Sequence, residues 1–103
     1  NNTAIGRTSL QNNTIGIRNV AVGSGSLGAN VSGSNNSALG MNANSGNFSG
    51  SVILGDTATA TADNQFVVGS STYNAGAVVT ATVAQAKVWN VVINGVAEQI
   101  LLA

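Results

Sequence analysis

The chain contains no cysteine, no histidine and no proline. Without cysteine there are no disulfide staples, and cysteine usage leaves the redox compartment open. Without cysteine and histidine, the commonest nucleophile and acid–base chemistries are missing. Charge is scarce as well. Only 6% of the 103 residues are charged, against about 25% in an average domain. The formal net charge is zero, which argues against nucleic-acid binding, because that needs a basic footprint. No run approaches the roughly 20 apolar residues of a membrane-spanning helix, so membrane insertion is not expected.

What remains is apolar and small. The chain is 44% hydrophobic with 13 glycines, and asparagine, serine, threonine and alanine fill most of the rest. Disordered chains combine low hydrophobicity with high net charge, and this chain does neither. Its apolar residues come in short, spaced, β-branched clusters. One such cluster recurs five times as two apolar residues closed by a glycine, in NTAIG, NVAVG, NSALG, SVILG and QFVVG. The closing glycines are Gly6, Gly23, Gly40, Gly55 and Gly69, spaced 17, 17, 15 and 14 residues apart. Residues 2–18 align without a gap over 19–35, placing Leu10 over Leu27 and Gly16 over Gly33. Three residues past each glycine stands a small side chain: Ser9, Ser26, Ala43, Ala58 or Thr72. The chain opens inside this repeat and reads as the C-terminal piece of a longer protein.

A period of 14–17 residues is too short for helix-pair repeats, and glycine interrupts every window that a helix would need. The period fits one coil of an all-β solenoid. Each glycine supplies a bend with positive φ or close backbone approach. Asn12-Asn13 and Asn35-Asn36 are expected to mark corners, because asparagine tolerates the left-handed region. The doublets are Ala4-Ile5, Ala21-Val22, Ala38-Leu39, Ile53-Leu54 and Val67-Val68. Neighbouring strand residues point to opposite faces, so a continuous apolar pair signals burial on both sides. One member can face the inside of the chain's own coil. The other needs a partner, which another copy of the chain would supply.

These residues resemble known fibre proteins. The stretch SVILGDTATATADNQFVVG (51–69) resembles the head repeat of trimeric autotransporter adhesins, with Ala58, Ala60 and Ala62 in the alternate small places. The longer coils, with NNTIGIRNVAVG and SGSNNSALG, resemble repeats of bacteriophage tail fibres. The ending VWNVVINGVAEQILLA resembles the C-terminal strands of such fibres. The resemblance implies a left-handed parallel β-roll, assembled as an intertwined or side-by-side homotrimer. It implies a structural fibre protein of the virion that helps host attachment through a surface glycan or protein receptor. The alternative is an adhesin head on the bacterial cell surface that binds host matrix. Adhesin heads continue into a neck and a coiled-coil stalk. No heptads follow Gly69 here, which favours a fibre tip.

The repeat region is expected over residues 1–71, and a C-terminal strand and hairpin cap over 72–103. AVVTATV (77–83) reads as a strand, and Asn94-Gly95 is a strong two-residue hairpin signal. The hairpin would cap the open end of the roll. Tyr73 and Trp89 are the only tyrosine and tryptophan, and they are the candidates for receptor contact. Trp89 also shares period 2 with Val91 and Ile93, so with these and Leu101 it is a candidate for the oligomer interface alongside the ten doublet residues. No catalytic, cofactor or metal site is expected. Asp56 and Asp63 stand half a coil apart and read as turn residues rather than a paired-carboxylate site. TATAT (57–61) reads as a strand with threonine outward and alanine inward. The glycine-rich loops lack the lysine of a phosphate cradle.

Overall fold

The computed structural model describes residues 1–72, together with the backbone of Val88–Ile93 and Val96–Leu101. Five three-residue strands repeat along the chain: β1 (Thr3–Ile5), β2 (Val20–Val22), β3 (Ser37–Leu39), β4 (Val52–Leu54) and β5 (Phe66–Val68). They form one sheet in the order β1-β2-β3-β4-β5, with every neighbouring pair parallel. Successive strands in sequence are therefore neighbours in space, each a full coil after the last. The molecule is a parallel β-solenoid of about four coils averaging about 16 residues, with no helix among the described residues. The register follows the closing glycines: Ala4 pairs with Ala21, Ala21 with Ala38, Ala38 with Ile53, and Ile53 with Val67. Two further strands, β6 (Val88–Ile93) and β7 (Val96–Leu101), pair antiparallel, with Trp89 opposite Ile100 and Val91 opposite Glu98. The expected strand at 77–83 and the Asn94-Gly95 turn lie outside the described residues.

The closing glycine is required twice over. Its φ is +132° at Gly23 and +143° at Gly40, a region that L side chains rarely adopt. A Cβ on Gly23 would also lie 2.4 Å from the Gly40 carbonyl oxygen of the next coil. After the glycine comes a tight turn. The Gly23 carbonyl accepts from the Ser26 amide at 3.2 Å, and the Gly40 carbonyl from the Ala43 amide at 3.3 Å. The third turn residue has positive φ in each coil (Thr8, Gly25, Asn42, Thr57), which is the requirement of a type II turn. The turn delivers the small residue inward: Ser26, Ala43 and Ala58 are completely buried. Those positions must be small because the coil is narrow there.

The core is a single column of Ala21, Leu27, Ala38, Ala43, Ile53, Ala58 and Ala60, with Leu10 and Val67 packed against it. The inner doublet member is thus settled as the first one. Ala4, the homologue of Ala21 in the first coil, is exposed because no described coil lies beyond it.

Side-chain ladders account for the asparagine and serine content. The Asn19 amide donates to Asn2 Oδ1 (2.9 Å), the Asn36 amide to Asn19 Oδ1 (3.0 Å), and the Ser51 amide to Asn36 Oδ1 (3.0 Å). The Gln65 amide continues the series to Ser51 Oγ (3.2 Å). The same asparagines use Nδ2 to brace their own coil: Asn19 donates to Gly33 O at 2.8 Å and Asn36 to Phe48 O at 2.7 Å. A second ladder runs from Ser45 Oγ to Asn30 Oδ1 and from Asn30 Nδ2 to Asn13 Oδ1, both at 2.9 Å. At a third position, the amides of Ile17, Ser34 and Ser49 donate to Ser34 Oγ, Ser49 Oγ and Asp63 Oδ1 of the coil below. These ladders satisfy corner amides that strand pairing cannot reach. They also show why charge is scarce. Coils repeat at about 4.8 Å, and identical ionised groups stacked at that spacing would repel.

Two expectations are corrected here. Asn36 is not a corner residue but a buried rung, and Asn13 is a half-buried one. The corner in the left-handed region is the residue before each rung: Arg18, Asn35, Gly50 and Asn64, with φ between +58° and +74°. Of the two predicted pairs, Asn35 takes the left-handed corner as expected, and Asn12 stands in the turn that the Asn13 amide closes on the Leu10 carbonyl (3.1 Å), without a positive φ.

Candidate interaction surface

The sheet has one face inside the solenoid and one outside. Alternation along each strand sends the middle residue inward and its two neighbours outward. The outward residues form two columns. One is Ile5, Val22, Leu39, Leu54 and Val68; the other is Thr3, Val20, Ser37, Val52 and Phe66. Eight of these ten side chains are apolar. Ile5 and Phe66 are each 59% exposed and Leu39 56%; Val22 and Leu54 are half-buried. Six of the eight apolar side chains are exposed and two half-buried, and a contiguous exposed apolar patch of this kind marks an interaction surface.

The predicted interface residues divide cleanly. Ala21, Ala38 and Ile53 are buried in the chain's own core and have no surface left for a partner. Val67 packs against that core, and Ala4 is uncovered at the open first coil. The second doublet members, Ile5, Val22, Leu39, Leu54 and Val68, are the outward ones. The other outward column was missed in the sequence, although Val20-Ala21-Val22 and Val52-Ile53-Leu54 carry its signal. The strand alternates large, inner, large; reading only the last two residues hid the first.

Tyr73 lies outside the described residues, so its expected receptor contact has no structural counterpart here. Trp89, Val91 and Ile93 lie on β6 and Leu101 on β7, where only the backbone pairing is described. In TATAT, Ala58 and Ala60 are buried and Thr59 and Thr61 exposed, as expected. The segment is not a strand, however. It begins in a turn at Thr57 (φ +56°) and contributes one bridge, Asn44 to Thr59. Ala62 is exposed rather than packed inside.

Among the described residues, the charged side chains do not converge. Arg7 and Arg18 lie exposed in the first coil, while Asp56 and Asp63 lie in the fourth. Asp63 Oδ1 accepts from the Ser49 amide at 2.8 Å, a turn-bracing role. Among the described residues, no group of three aspartate, glutamate, histidine or cysteine side chains comes together. No described helix is long and apolar enough to cross a membrane. Among the described residues, the feature with the extent of a functional surface is the outward apolar face. Comparison with protein-family models, with curated proteins and with solved structures returns no match to this chain.

Proposed function

We propose that this protein is a structural fibre element, the distal part of a trimeric phage tail fibre that contributes to host-cell attachment. The observation that carries the reading is the outward apolar face. Its columns run along the solenoid axis, so a second and third copy laid alongside cover it over its full length. In the trimer, the three faces turn towards a common axis and the polar, nearly uncharged remainder faces water. Such a surface stays soluble through hydroxyl and amide groups. The roll is a left-handed shaft, and the β6–β7 region caps it. Host recognition falls to Tyr73, Trp89 or the coil corners and is non-covalent, directed at a surface glycan or protein.

A second reading, the head of a bacterial adhesin binding host matrix, is favoured by one feature. The 14-residue fourth coil buries Ala58 and Ala60, two of the three alternate small places of the adhesin pattern, while Ala62 is exposed. Immunogold electron microscopy with an antibody to residues 1–72 separates the two. Label at the ends of virion fibres supports the first reading. Label on bacterial surfaces replaces it with the second, and label on neither rejects both.

A further inference from the structure

The two columns of the outward face are unequal, and the inequality has a pattern. The two outward residues of each strand are two places apart and stand at one level of the solenoid. Thr3 lies beside Ile5, Val20 beside Val22, Ser37 beside Leu39, Val52 beside Leu54 and Phe66 beside Val68. Where the first column is smallest, at Thr3 and Ser37, the second carries isoleucine or leucine. Where the first is largest, at Phe66, the second falls back to valine. On β2 the pair is equal, and on β4 it differs by one methylene. The most exposed of these apolar side chains, Ile5, Leu39 and Phe66, are the large members of the three unequal pairs. None of the ten residues is charged. The chain's own core does not set these sizes, because all ten residues lie on the outer side of the sheet.

A three-fold ring does set them. Its contacts are heterologous, so each copy offers one patch and receives a different one. A two-column face turned to a common axis therefore lays one column against the other column of the next copy. The ring closes only when the copies stand at one height, since a shift of one coil would accumulate around the axis into an open helix. Residues of the same strand then meet across the boundary. Leu39 meets Ser37 of the next copy, Ile5 meets Thr3, and Val68 meets Phe66. Large side chains stand opposite smaller ones, as interdigitated layers require.

We infer that this is the contact that holds the trimer: the column Ile5, Val22, Leu39, Leu54 and Val68 of one copy packs, level for level, against the column Thr3, Val20, Ser37, Val52 and Phe66 of the next. The inference rests on the fibre reading, from which it takes the three copies. Thr3 and Ser37 are then the hollows that receive Ile5 and Leu39, rather than gaps in an apolar face.

The chain has no cysteine, so introduced thiols report the contact without background. Ser37→Cys and Leu39→Cys are made in separate full-length chains, one carrying a mass tag. They are refolded alone and as an equal mixture, then oxidised. A disulfide needs Cβ atoms about 3.5–4.5 Å apart, which facing columns provide and equivalent residues around the ring do not. The mixture is expected to form a covalent dimer of unlike chains at least about tenfold faster than either chain forms one alone. Ser37→Cys mixed with Leu54→Cys, one coil out of level, should form none. Native mass spectrometry of the unsubstituted chain is run alongside. Three copies with like-to-like crosslinks, or with the out-of-level pair crosslinked in preference, overturn the inference and leave the fibre reading standing. A single copy overturns both. If Leu39→Cys does not assemble, Val20→Cys and Val22→Cys place the same contact on β2. The absence of an unlike crosslink there overturns the inference as well.

Discussion

The first two coils and the last two are the same structure built by different means. Both keep the three-residue strand in unbroken parallel register. The first two are 17 residues long and carry a leucine, Leu10 or Leu27, at the corner opposite an alanine on the sheet wall, Ala4 or Ala21. The later coils lose two or three residues at that far corner, and Asn44 and Thr59 form a bridge there instead. In the fourth coil the large residue moves to the sheet wall, as Ile53, and the opposite side becomes Ala58 and Ala60. Close-packed interiors tolerate such exchanges when the filled volume is kept. The strand and its glycine are fixed, whereas the far corner is free to lengthen or shorten.

Ile53→Ala strikes this arrangement hardest. It leaves the fourth coil with alanine on both walls and is expected to cost about 2–5 kcal/mol, read as a fall in Tm or in the denaturant midpoint. Asn36→Ala comes next. It strands the buried Ser51 amide and the Phe48 carbonyl together, and unsatisfied buried groups cost about 1–3 kcal/mol each. Its cost should fall on the last two coils, because the Asn36 side chain braces its own coil and joins it to the next, while its backbone amide keeps the bond to Asn19. Ala21→Ile sharpens the volume argument. Alone it overpacks the second coil against Leu27, by about 1–3 kcal/mol. Combined with Leu27→Ala it converts that coil to the arrangement of the fourth, and most of the loss should return in a double-mutant cycle. Ser26→Ala should do the reverse of damage. Ser26 Oγ is buried with no hydrogen-bond partner, and the next coils already carry Ala43 and Ala58 there. A gain of about 1 kcal/mol is expected in thermal unfolding.

The repeat made part of this visible in advance. Glycine spacing fixed the strand positions and register, because a stacked glycine column is both a φ requirement and a contact requirement. The small residue three places on was visible for the same reason. The inward member of each doublet was not, since alanine and isoleucine are equally apolar and only the turn decides which one points in. The asparagine ladder was hidden for a different reason. Asparagine serves at corners and in rungs alike, and adjacent pairs such as Asn35-Asn36 contain one of each. The outward face was half legible, through Ile5, Val22, Leu39, Leu54 and Val68. Its second column needed the alternation of whole strands, and Thr3 and Ser37 interrupt that pattern.

The proposed function rests on the outward apolar face. The full chain, unsubstituted and as Leu39→Asp, should be weighed by native mass spectrometry at micromolar concentration. The account predicts three copies for the unsubstituted chain. It predicts a single copy for Leu39→Asp, because a carboxylate on that column cannot be buried against two sister faces. An unsubstituted chain that is folded and monomeric would contradict it.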